Sequence, residues 1–105
     1  MTKPSRILVV GRHEGTTHKI TRVLEADGHI VTSTLSDATA LDLASSSYFD
    51  AVVIGAGVSH ADVRYLSTKI QGKNSSTAII VAHGPESVLS QLRQAFKERA
   101  SADST

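Results

Sequence analysis

The sequence predicts a single α/β domain, a parallel sheet covered on both faces by helices. Two observations lead there. Four short apolar runs rich in β-branched residues recur along the chain, and each is followed by a stretch whose apolar residues fall three and four apart. Strands alternating with amphipathic helices at this spacing imply right-handed crossovers and parallel pairing. The length, 105 residues, suits one domain of ordinary size.

Ile7-Leu8-Val9-Val10 is a continuous run of the kind buried on both faces of a parallel sheet, and it stops at Gly11. Over residues 16–27, Ile20, Val23 and Leu24 form one stripe of a helix, and Gly28 stands where a left-handed C-terminal cap is needed. His29-Ile30-Val31-Thr32 reads as the second strand. Ser36 is placed to cap a helix whose inward face draws on Ala38, Leu41 and Ala44 or on Ala40 and Leu43. Phe49-Asp50-Ala51-Val52-Val53-Ile54 is the third strand, stopped by Gly55-Ala56-Gly57. Ser59 with Asp62 fits a helix-start pattern, and Val63, Leu66 and Ile70 carry that helix to Gly72. Residues 73–76 read as a turn. Ala78-Ile79-Ile80-Val81-Ala82 is the fourth strand, after which Gly84-Pro85-Glu86 opens the last helix with proline in its first turn. Val88, Leu89, Leu92 and Phe96 line its buried side. The ordered core is expected over residues 5–99, and the small polar tail, 100–105, is expected to fray.

Composition excludes several functions. The absence of cysteine removes disulfide scaffolds, thiol catalysis and Cys-ligated metal centres. Eleven Lys and Arg against ten Asp and Glu argue against a broad basic face for nucleic acid. Aromatic residues are 4% with no tryptophan, too few to build stacking platforms. The apolar run at residues 7–10 is too short for a signal-peptide core or a membrane span, so a soluble cytoplasmic protein that binds no membrane is expected.

The framework resembles the receiver domain of bacterial response regulators. The matching pieces are Ile7-Leu8-Val9-Val10, Gly28-His29-Ile30-Val31, Asp37-Ala38 before Ala40-Leu41, residues 49–54 and Ile79-Ile80-Val81, within residues 6–84. The resemblance implies a flavodoxin-like three-layer sandwich of about four parallel strands in the order 2-1-3-4. It also implies Mg²⁺-assisted aspartyl phosphorylation, and there the chain departs from the family. The acidic pair after the first strand falls at Gly11 and Arg12, the phosphoacceptor aspartate at Gly55, and the Ser/Thr after the fourth strand at His83. The fifth strand and its lysine are missing, since only 22 residues follow His83 and they begin a helix at once. Hard oxygen ligands are what Mg²⁺ requires. A degenerate, shortened receiver is therefore expected, its reactive corner emptied of carboxylates, with no catalysis and no cofactor.

Parallel α/β sheets bind ligands outside the carboxyl ends of their strands, which draws attention to three loops. Gly11, Gly15, Gly55, Gly57 and Gly84 follow strands, where positive φ and backbone N–H groups are expected to let an anion dock beside Arg12. The same glycines also serve as tight turns. Gly55-Ala56-Gly57 misses the dinucleotide fingerprint because His60 stands at the third glycine, and residues 11–15 lack the P-loop spacing. His13, His60 and His83 fall after three different strands, with the chemistry of a zinc or nickel site or a general base; solvated or structural histidines are the plainer reading. Losing a fifth strand would leave Ile79, Ile80 and Val81 as an apolar edge that needs covering, which points to a homodimer through that edge or the last helix. Two functions follow: a non-catalytic signalling or adaptor module acting through protein contacts, or a small anion, nucleotide or metal-binding domain using Gly11, Arg12, His13, Gly55, Gly57, His60, His83 and Gly84.

Overall fold

Each apolar run becomes a strand because helices cover it from both sides. The computed structural model describes residues 4–103. Its strands are β1 (Arg6–Val10), β2 (Ile30–Thr34), β3 (Ala51–Ile54) and β4 (Ala78–Val81), all parallel in the order β2-β1-β3-β4. Leu8 lies opposite Thr32 on one side and Val52 on the other, and Val52 in turn faces Ile79. The period of two then sorts the side chains. Ile7, Val9, Ala51, Val53 and Ile80 meet Ile20 and Leu24 of α1 (Glu14–Ala26) and Val88 and Leu92 of α4 (Val88–Asp103). Leu8, Val10, Val52 and Ile54 meet Ala40 of α2 (Asp37–Ser46) and Leu66 and Ile70 of α3 (His60–Lys73). The result is the flavodoxin-like three-layer α/β sandwich.

The helix signals hold at atomic detail. Ser36 Oγ accepts from the Thr39 N–H at 3.3 Å, and Ser59 Oγ from the Asp62 N–H at 3.2 Å. Gly28 adopts φ 92°, the left-handed conformation a C-terminal cap demands. Several boundaries move. α1 opens at Glu14, so Gly15 sits in its first turn rather than in a loop. β2 is displaced toward Thr34 because its register follows β1 as far as Val10. β3 begins at Ala51; Phe49 instead fills the core beneath α2 and α3, and Asp50 Oδ2 accepts from the Arg6 N–H at 2.8 Å. α3 passes through Gly72 to Lys73. Residues 84–87 form a turn, the Ser87 N–H donating to Gly84 O at 3.3 Å, so Pro85 precedes α4 instead of lying in it. α4 stays helical to Asp103, past the point where fraying was expected, while 104–105 lie outside the described residues. Among the described residues no helix is long and apolar enough to cross a membrane.

Candidate functional site at the carboxyl edge of the sheet

A parallel sheet gathers every strand's carboxyl end on one edge, and the helices that follow start there with their positive dipole ends. Gly11, Arg12 and His13 leave β1, while α2 and α3 begin beside them. Asp37 and Asp62 each occupy the first turn of such a helix, where a carboxylate is favoured. Arg12 Nη2 reaches both, 2.8 Å from Asp37 Oδ2 and 3.2 Å from Asp62 Oδ2, and Nη1 donates to Gly11 O at 3.3 Å. Partial burial lowers the guanidinium pKa, but the hydrogen bonds and charges of Asp37 and Asp62 outweigh that and raise it above its ordinary value. One cation thereby ties β1 to the starts of α2 and α3.

This corrects two expectations. The corner is not emptied of carboxylates: it holds two, supplied by helix starts rather than by the end of β1. Arg12 is not a free cation awaiting an anion, because its guanidinium already serves both acids. The second Asp37 oxygen, Oδ1, is buried without a hydrogen-bond partner.

Space rather than torsion is what glycine supplies at Gly11 and Gly57. Among the described residues Gly28 alone has positive φ, so Gly11, Gly15, Gly55, Gly57 and Gly84 do not use that freedom. A Cβ on Gly11 would collide with Thr17 Oγ1, and one on Gly57 would stand 2.9 Å from His13 Cδ2. The Cβ of a residue at 84 would meet only the mobile end of Glu86. Nor do the backbone donors face an incoming group at the two buried positions. The Gly11 N–H donates to Thr34 O at 3.1 Å and the Gly55 N–H to Val10 O at 2.8 Å, each extending a sheet ladder by one rung.

His13, His60 and His83 are all exposed, and among the described residues no group of three or more His, Asp or Glu side chains is placed to hold a metal. The three-imidazole alternative therefore fails on geometry. His13 caps α1 only through its backbone and lays its ring by Gly57; His60 is the first residue of α3; the His83 N–H donates to Gln91 Oε1 at 3.1 Å.

Gln91 was not singled out by sequence. Its Nε2 also donates to Val81 O at 2.7 Å, so one carboxamide bridges the Val81 carbonyl and the His83 N–H at the end of β4. The available signal was its spacing: Gln91 lies three residues after Val88, a polar side chain beside the buried stripe of α4. Asp37 and Asp62 were visible as helix-start residues, but nothing linear linked them to Arg12.

Fold and edge together define a flavodoxin-like α/β domain whose carboxyl corner is closed by an arginine between two aspartates. No protein-family model matches the chain, and no curated protein is significantly similar to it.

Proposed function

We propose that this is a receiver-like domain that has given up aspartyl phosphorylation and works as a non-catalytic signalling or adaptor module through protein contacts. The observation that carries this reading is the Arg12 guanidinium bonded to Asp37 and Asp62. Mg²⁺ needs open, hard oxygen ligands, and here both nearby carboxylates are turned onto a cation that cannot exchange. Gly55, at the place of the family's phosphoacceptor, is buried and offers no side chain. With its corner occupied and its near-neutral charge, the domain's remaining assets are surfaces, the apolar edge of β4 among them.

The test is incubation of the purified chain with a small acyl-phosphate donor and Mg²⁺, followed by intact mass measurement. An unchanged mass is expected. A stable gain of one phosphoryl group would overturn the reading.

A further inference from the structure

β4 closes one side of the sheet, and among the described residues no strand pairs with its outer side. The N–H groups of Ala78 and Ala82 donate inward, to Asp50 O at 3.1 Å and Ile54 O at 2.8 Å. Alternation along the strand therefore turns the backbone groups of Ile79, Val81 and His83 outward. Gln91 meets the last of these. Its carboxamide donates to Val81 O and accepts from the His83 N–H, as a residue of a fifth parallel strand opposite Ala82 would. Among the described residues nothing answers the Ile79 N–H and C=O or the Val81 N–H, beside a groove of about 470 Å³ between β4 and α4.

We propose that this edge takes β4 of a second copy of the chain, antiparallel about a two-fold axis at Ile80, with Gln91 acting as the latch that covers the edge in the free chain. The proposal deepens the protein-contact reading above by naming the partner. Three features select a second copy. A two-fold centred on Ile80 sets Ile79 opposite the partner copy's Val81, so each outward donor meets an outward acceptor and the row is complementary to itself. α4 starts at the carboxyl end of the sheet, which sets exposed Glu98 near the start of β4 and exposed His83 beyond its end; an antiparallel partner brings these unlike ends together. The other edge, β2, opens on exposed Ile30 but continues through Thr32, Ser33 and Thr34, whereas β4 is apolar throughout, with Val81 38% exposed.

The experiment is light scattering of the whole chain up to roughly 100 μM, above a micromolar dissociation constant, for the natural sequence, Val81→Lys and Gln91→Ala, with amide exchange read at Ile79 and Val81. A concentration-dependent dimer is expected, with slowed exchange at both amides. Val81→Lys, folded by circular dichroism, should be at least tenfold weaker in association, and Gln91→Ala severalfold stronger because the competing carboxamide is gone. A chain that stays monomeric even as Gln91→Ala overturns the proposal and leaves the edge to an extended segment of another protein. A dimer indifferent to both substitutions overturns it in favour of another face. Neither result bears on the phosphodonor test, which reads the corner alone.

Discussion

Arg12 brings together at the carboxyl edge two acids that its absence would leave facing one another. Partly exposed ion pairs contribute about 0–1 kcal/mol each, and removing the shared cation adds repulsion between its former partners. Arg12→Ala is expected to destabilise the fold by ~1–2 kcal/mol, and Arg12→Ala combined with Asp37→Asn by less than the sum of the two single changes, as thermal denaturation would show. The sign of the pH effect follows from the raised Arg12 pKa. Its contribution is present at every pH below the ordinary guanidinium range and is lost only as pH rises past the folded value. The cost of Arg12→Ala should thus be equal at about pH 7 and about pH 9, measured by urea unfolding. Gly11 makes a different kind of demand. Because an added Cβ meets Thr17, itself nearly buried, Gly11→Ala should cost ~1–3 kcal/mol by overpacking. Gly55→Ala meets only ordinary contacts, 3.5 Å from Gly11 Cα, and should cost less in the same titration.

The elements are fixed largely by their ends. Ser36 and Ser59 start α2 and α3 with side-chain caps, and Gly28 turns the chain from α1 toward β2. The turn before β4 is pinned by Thr77, which is 3% exposed and whose hydroxyl donates to Phe49 O at 2.8 Å, joining it to the chain entering β3. Thr77→Val keeps the shape but leaves that carbonyl without its donor, so a loss of ~1–3 kcal/mol in urea-derived stability is expected. These ends also explain which boundaries were legible. Capping serines and a left-handed glycine are local signals, and they were read correctly at Ser36, Ser59 and Gly28. Glycine or proline near a helix end is ambiguous: Gly72 stays within α3, and Pro85 stays outside α4, because packing of Ile70 and Val88 decides where each helix is held.

At the scale of the whole molecule, two apolar clusters lie on opposite faces of one sheet, yet the strands belong to both. Val52 and Val53 are neighbours in β3 and are buried in different clusters. Neither layer can melt without exposing the other face of the strands it shares. Unfolding should be a single transition, with tyrosine fluorescence from Tyr48 and Tyr65 on the α2–α3 side coinciding with the far-ultraviolet dichroism of all four helices. A tyrosine transition at lower denaturant would contradict this. The sequence by itself determined the layered fold, the strand order through its resemblance, and the buried stripes of α1, α3 and α4, because periodicity, caps and residue identity are local properties of a chain. The tertiary structure alone decided that Arg12 is neutralised by Asp37 and Asp62, 25 and 50 residues away, and that Gln91 bonds the backbone at the end of β4. Such contacts depend on crossovers bringing distant helix starts to one edge, and no spacing along the chain records where two side chains meet across it.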